Sequence, residues 1–288
     1  MLRRTARRTQ LADLAELVRA PAALTVPGDV LAGAVAAGNL RPARLAGLAA
    51  SSIAIYWAGM ALNDWSDRSL DAVERPERPI PSGRVTPRTA FALASGLTAT
   101  GLALSALSGG RATFRTSAAL AATAWTYDLV AKNTPLGPAV MATARSLDVL
   151  VGAGANRRAA LRPALAVGTH ILTTTLISRG EVHGSSTTAP RVALAATAAI
   201  ATTTADLNNP GPAAAFAGLY ARSVGRAQLV AAQDPSAQNI RKAVGAGIHG
   251  LVPLQAAWCA RGGQPLVGAG LLAALPLAKA LARKISPT

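Results

Sequence analysis

Residues 45–71 read LAGLAASSIAIYWAGMALNDWSDRSLD, an apolar run from Leu45 to Leu62 that ends abruptly in Asn63, Asp64, Asp67 and Asp71. The run approaches the roughly 20 residues that an α-helix needs to cross the hydrocarbon of a bilayer. On a helix, positions three and four apart share a face, so Asn63, Asp67 and Asp71 stack at successive i, i+4 steps with Asp64 alongside. Carboxylates held this close repel. A hard cation relieves the repulsion by taking oxygen ligands from them and from a bound diphosphate. A solvated, ion-paired helix end accounts for one or two such carboxylates, but not for this order after an apolar run.

The following segment supplies the opposite charge: Glu74-Arg75-Pro76-Glu77-Arg78-Pro79-Ile80-Pro81-Ser82-Gly83-Arg84. Guanidinium forks match phosphate oxygens in pairs, and the prolines with Gly83 stop the helix from continuing. Over Asn63 to Arg84 the chain resembles the UbiA superfamily of intramembrane prenyltransferases, whose first aspartate-rich motif has the form N-D-x-x-D-x-x-x-D followed by an R-P-x-x-S-G-like loop. The resemblance implies an Mg²⁺-dependent transfer of a prenyl group from an isoprenoid diphosphate to an acceptor. It implies metal ligation by Asn63, Asp64, Asp67 and Asp71, and a diphosphate grip from Asn63, Arg75, Arg78 and Arg84.

Composition points the same way. With 51% hydrophobic and 15% charged residues in 288, and a mean hydropathy of +0.31, the chain is less polar than a soluble enzyme of its length. Apolar segments fall near 21–38, 43–63, 89–108, 113–130, 136–154, 161–178, 191–207, 212–231, 241–260 and 265–282. Much of their apolar content is alanine, so each is individually weak and the case rests on their number. The weakest are 21–38, broken by Pro27-Gly28-Asp29, and the last two, which carry Pro253 and Pro276. The predicted fold is all-α: a single polytopic transmembrane helical bundle over 1–288, with about nine spans, the resembled family's number, around a central cavity. A basic amphipathic segment over 1–20 lies along the membrane surface, with Leu11, Leu14, Leu17 and Val18 on one face.

Two further clusters emerge on the face of the 64–88 loop or close to it. Ser178-Arg179-Gly180-Glu181-Val182-His183-Gly184 stands where UbiA-like enzymes usually carry a second aspartate-rich motif, and it resembles the EboC-like branch of the superfamily. Here the only carboxylate is Glu181, a candidate metal ligand, with Arg179 and His183 as diphosphate-binding candidates; a solvated inter-helix loop is the alternative. Tyr127-Asp128-Leu129-Val130-Ala131-Lys132 resembles the family's Tyr-x-x-x-x-Lys segment. The resemblance implies that Lys132 adds charge on the diphosphate and that Tyr127 joins Asp64, Asp67 and Asp71 in catalysis.

Arg145 and Asp148, three apart in an apolar helix, can pair with each other; ionisable residues in a span are functional candidates, and an internal structural pair is the alternative. Asp29 either caps a helix broken at Pro27 or faces the cavity. Asp206, Asn208 and Asn209 read as a helix-ending turn. His170 and His249 read as packed or hydrogen-bonded residues, and the single cysteine, Cys259, as a small apolar packer that excludes an internal disulfide.

The net charge of +16 is spread through short loops rather than gathered in a stripe with stacking aromatics. It therefore favours anionic lipid and a diphosphate substrate as partners over nucleic acid. Placing Arg3, Arg4, Arg7 and Arg8 inside puts the 64–88 loop, Lys132 and Arg179 on the cytoplasmic side of the cell membrane, against an opposing group led by Arg157 and Arg158. The acceptor is not legible in the sequence. Cyclisation of a terpene or hydrolysis of the prenyl diphosphate uses the same metal chemistry, and the reduced second motif permits a non-catalytic isoprenoid- or lipid-binding membrane protein.

Overall fold

The computed structural model describes residues 11–205 and 211–285, and among them every regular element is helical. The proposed arginine anchors at 3, 4, 7 and 8 and the turn at 206–209 lie outside these residues. After α1 (residues 11–17) and a 3₁₀ segment, Ala20–Thr25, come α2 (Pro27–Ala36), α3 (Pro42–Ser66), α4 (Arg68–Glu74) and α5 (Pro87–Thr126). A π-helical turn, Tyr127–Ala131, leads to α6 (Gly137–Ala153), α7 (Leu161–Ser178) and α8 (Thr188–Ala205). The chain closes with α9 (Pro212–Gln233), α10 (Ala237–Arg261) and α11 (Pro265–Ile285). Proline opens many of these helices, a position where its missing N–H costs nothing and its fixed φ is already helical.

The ten apolar segments of the sequence each coincide with a helix or half-helix. Pro42–Ser66, Pro87–Ala131 and Ala237–Arg261 are by themselves long and apolar enough to cross a bilayer. The second of these is two spans. At Gly110 the backbone takes φ 71° and ψ −169°, conformations closed to residues with a Cβ, and the chain folds back. Trp125 Nε1 consequently donates to Thr98 Oγ1 at 3.1 Å, and its ring meets that of Phe91 edge-on at 5.9 Å.

The first candidate span is discontinuous. Its outer half is the 3₁₀ segment, and α2 starts only at Pro27, so the helix N-terminus lies inside the bundle. A large cluster joins α2, α6, α7, α8, α9 and α10 through Val35, Val149, Val167, Ile200, Tyr220, Leu254 and Trp258. There α2 and α6 approach at glycine: a Cβ on Gly33 would run into the Val149 carbonyl oxygen, and one on Gly152 into that of Val30. Cys259 and His170 are buried in this packing, His170 between Tyr220 Oη at 3.0 Å and the Gly247 carbonyl at 2.9 Å.

A second cluster holds the motif face. Leu17 and Val18 are buried with Ala61, Leu62, Ile80 and Val85, and Leu14 packs against them, while Leu11 is exposed. The segment 11–17 thus turns its apolar residues toward α3 and the arginine loop.

Candidate active site

α3 stays helical to the edge of the bundle because its alanine-rich turns meet no breaker before Asn63. At Ser66 the hydroxyl bonds back to the Asn63 carbonyl, yet Asp67 N still donates to Asn63 O and Asp71 N to Asp67 O, at 2.9 and 2.8 Å. Asn63, Asp67 and Asp71 therefore keep their successive-turn spacing across the joint with α4. Their side chains diverge to different partners.

Asp64 and Asp71, both buried, share one arginine. Arg78 Nη1 lies 2.7 Å from Asp71 Oδ2 and 3.4 Å from Asp64 Oδ1; Arg19 adds a contact to Asp64 at 3.2 Å, and Arg75, half exposed, stands 3.8 Å from Asp71. The loop holds Arg78 in place by local means: Ile80 and Val85 plug into the motif-face cluster, and Ser82 bonds the Arg78 carbonyl through both N and Oγ. Asp67 instead pairs with Lys132 at 2.6 Å, and Lys132 also donates to Ser66. Asn63 Nδ2 donates to Asp128 Oδ1 at 3.0 Å. Asp128 was a plain member of the Tyr127–Lys132 string in the sequence. Its i, i+4 spacing to Lys132 was the available signal.

The π-helical turn explains how the string reaches the site. Lys132 N donates to Tyr127 O rather than to the residue four back, and wide turns of this kind occur frequently at functional sites. Tyr127 and Asp128 line, with Asn63 and Arg19, one end of a cavity of about 550 Å³. One stripe of α3, from Ser52 through Tyr56, Gly59 and Met60 to Asn63, forms its wall, opposed by Leu120, Met141, Ile171 and Leu251 from other helices.

The inner end of the cavity is polar again. Arg145 Nη2 stands 2.7 Å from Asp29 Oδ2, and Gln255 Nε2 donates to Asp29 Oδ1 at 2.6 Å; Asp29 is fully buried. Asp148 accepts a short hydrogen bond from Ser52. Arg145 and Asp148, expected to pair with each other, thus take different partners, because three helices converge here and each supplies a nearer group. Asp29, expected first as a cap, makes no capping bond; the N-cap of α2 is Val26 and the carboxylate turns to Arg145 and Gln255. Arg145 Nε and Thr174 Oγ1 are buried along this wall without a hydrogen-bond partner.

Other candidates stand apart. Arg84 points away from Asp64 and Asp71, onto Glu16 at 2.7 Å and Asp13 at 2.6 Å. Hydrogen bonds to these two carboxylates push its guanidinium above its ordinary value. Arg179 donates to the Thr134 carbonyl, next to the Lys132 turn. Arg241 donates to the Glu181 carbonyl at 2.7 Å, and burial, opposed by Arg241, pushes the Glu181 carboxyl up. His183 is exposed. The loops at 66–86, 132–136, 178–187 and 234–236 consequently share one face, the last joined by Ser185 N to Pro235 O at 3.0 Å.

Among the described residues no three carboxylates, histidines or cysteines converge into a preassembled metal cage. The donors near the cavity mouth, Asn63, Asp67 and Asp128, are all hard oxygens or amide. That set suits a magnesium ion, which commonly takes one or two carboxylates and fills its shell with water and substrate phosphate.

The sequence model described as the UbiA prenyltransferase family matches residues 25–281. Among curated proteins, the chain is 38% identical over 95 residues to a digeranylgeranylglyceryl phosphate synthase of Natronomonas pharaonis, covering 33% of this chain and 34% of the relative. A second, from Ignicoccus hospitalis, is 45% identical over 86 residues, covering 30% and 28%. These alignments span about a third of the relatives they match. The fold is similar to a structure reported for digeranylgeranylglyceryl phosphate synthase, with a TM-score of 0.65 at 15% identity over 88% of this chain and 98% of that one. A UbiA homologue from Aeropyrum pernix gives 0.64 at 20% identity over 79% and 94%.

Proposed function

The chain belongs to the UbiA prenyltransferase family, an integral membrane helical bundle, and from that premise we propose that it transfers a prenyl group from an isoprenoid diphosphate to a small acceptor inside the membrane. The observation that carries this reading is the meeting of Asn63, Asp128 and Tyr127 at the polar end of an otherwise largely apolar cavity, with Asp67 and Lys132 directly behind.

Asn63 and Asp67 are the residues that would hold Mg²⁺, which when bound neutralises the diphosphate and makes it a better leaving group. Lys132 and Arg179 add positive charge at the same face, while Arg78 keeps Asp64 and Asp71 ordered. The carbon–oxygen bond to the diphosphate breaks and an allylic cation remains in the cavity. Walls formed by Ile55, Met60, Leu120, Met141 and Leu251 keep water from it until the acceptor attacks. The acceptor then loses a proton, and Asp128, lining the cavity, is the carboxylate best situated to take it. Tyr127 presents its hydroxyl to the cation or the acceptor. Glu181 and His183 stand on the same face outside the cavity lining, and Arg75 supplies charge beside Asp71.

The loops of the site face the cytoplasm in this reading, since the arginines and lysines at 68–88, 132, 179, 222, 226, 241 and 242 outweigh those of the other side. The curated relatives' name makes a glycerol phosphate ether the first acceptor to test. A second reading, isoprenoid binding without catalysis, draws on the pairing of Asp64, Asp67 and Asp71 with cationic side chains. Purified protein in lipid nanodiscs, given Mg²⁺ and radiolabelled geranylgeranyl or farnesyl diphosphate, separates the two. Diphosphate release that disappears in Asp67→Ala and Asp128→Ala supports the transferase. Retention of the donor with no release from any chain length supports the binding protein.

A further inference from the structure

A second groove opens on the outer surface of the bundle, between α9 and α10, with a volume of about 480 Å³. Its basic side chains are Arg222, Arg226 and Lys242, and its floor is Leu219, Ala227 and Val230. Arg222 and Arg226 are one helical turn apart on the exposed side of α9, and Lys242 is exposed on the facing turn of α10. Among the described residues none of the three takes part in an ion pair.

Their depth makes this costly. The α9–α10 turn lies at the face of the candidate site, through the Ser185–Pro235 bond. At about 1.5 Å per residue, Lys242 lies about 8 Å inside that end of α10, and Arg226 and Arg222 about 10 and 16 Å inside the end of α9. Cations one to three turns inside a helix end on an exposed surface of a membrane bundle snorkel toward the headgroups and need an anion to offset their desolvation. Among the described residues none is supplied. A groove in which three cations alternate with aliphatic side chains is complementary to a phosphate attached to an acyl chain, and guanidinium forks hold phosphate oxygens in pairs. A free phosphate has no use for the Leu219–Val230 floor.

We propose that this groove is a binding site for an anionic phospholipid of the surrounding bilayer, with its phosphate between Arg226 and Lys242, Arg222 reaching up from below, and an acyl chain running inward along Leu219. The site is separate from the central cavity and holds whether or not the transferase reading does. Lys242 adjoins Arg241, whose bond to the Glu181 carbonyl anchors the 178–187 loop, so a seated lipid also braces that loop.

Native mass spectrometry of the full chain, released from detergent with equal amounts of phosphatidylglycerol and phosphatidylcholine, tests this. The wild type is expected to retain phosphatidylglycerol with roughly tenfold or greater preference. The combined variant Arg222→Gln, Arg226→Gln, Lys242→Gln keeps the side-chain stems, so packing is preserved, and is expected to lose that preference. Replacing Arg157, Arg158 and Arg162, equally basic and exposed on the opposite face, is expected to leave it intact. No lipid preference in the wild type, or equal loss in both variants, overturns the assignment. Displacement of the lipid by soluble glycerol phosphate at matched concentration also overturns it, in favour of a free phosphate.

Discussion

Asn63 Nδ2 lies 3.0 Å from Asp128 Oδ1, tying the last turn of α3 to the π-helical turn at the mouth of the cavity. Asp128→Asn keeps the shape and removes the charge. If Asp128 accepts the acceptor's proton, product formation falls on the order of a hundredfold or more, while affinity for a non-ionising thiolo analogue of the donor changes little. Isothermal titration with the analogue, set beside product assays, checks both halves; unchanged turnover would remove Asp128 from the machinery.

Arg78 and Arg84 belong to the same loop but serve different partners. Arg78→Ala leaves buried Asp64 with Arg19 alone and buried Asp71 with the more distant Arg75, and is expected to destabilise the fold on the order of 2–3 kcal/mol. Arg84→Ala breaks partly exposed pairs with Asp13 and Glu16, at about 1 kcal/mol or less. Its expected signature is faster proteolysis within 11–19 with donor affinity retained. Thermal midpoints and limited proteolysis distinguish the two variants.

The Asp29–Arg145 pair lies among three helices that carry no other described counter-ion for Asp29. Either single change, Asp29→Ala or Arg145→Met, leaves an uncompensated buried charge, and each should cost about 3–5 kcal/mol. The double variant should recover a large part of this. A double-mutant cycle on thermal midpoints reads the coupling directly, and additive losses would mean that the two groups do not act as a pair.

At the α2–α6 crossing, Gly152→Ala directs a methyl at the Val30 carbonyl, and the helices must separate to admit it. Overpacking of this kind costs about 1–3 kcal/mol. Because Arg145 and Asp148 sit on the same helix, the variant should also weaken donor retention. A thermal midpoint equal to wild type would show that the contact yields freely.

Burial raises the Glu181 carboxyl above its ordinary value, so the folded loop favours the neutral acid. Stability from this group is therefore present at low pH and lost as the pH rises through the raised value. Glu181→Gln, which stays neutral, should melt slightly higher than wild type near neutral pH and identically below about pH 4, where both carry no charge. A melting series in citrate and phosphate buffers measures it.

The elements that follow local rules were legible. The apolar run ending at Asn63, the break at Pro27, and the loop closed by Gly83 all depend on neighbours in sequence. The side-chain partners were not. Lys132 meets Asp67 and Arg145 meets Asp29 only because distant helices pack together, and spacing along one helix pointed Arg145 toward Asp148 instead. Arg84 read as a phosphate ligand from its place after Pro-Ser-Gly, and only the seating of α1 beside the loop supplies Glu16 and Asp13 to claim it. Asp128 carried only its i, i+4 spacing to Lys132 as a signal, and its partner Asn63 comes from another helix once a π-helical turn aims it.

That widened turn works as a register device. Removing Val130 would turn the Lys132 N–Tyr127 O bond into an ordinary α-helical one, so Lys132 would stay on Ser66 and Asp67 and the crossing would be just as oily. Only the ring between them would tighten, and Asp128 would swing off Asn63 while every residue of the chemistry remained present.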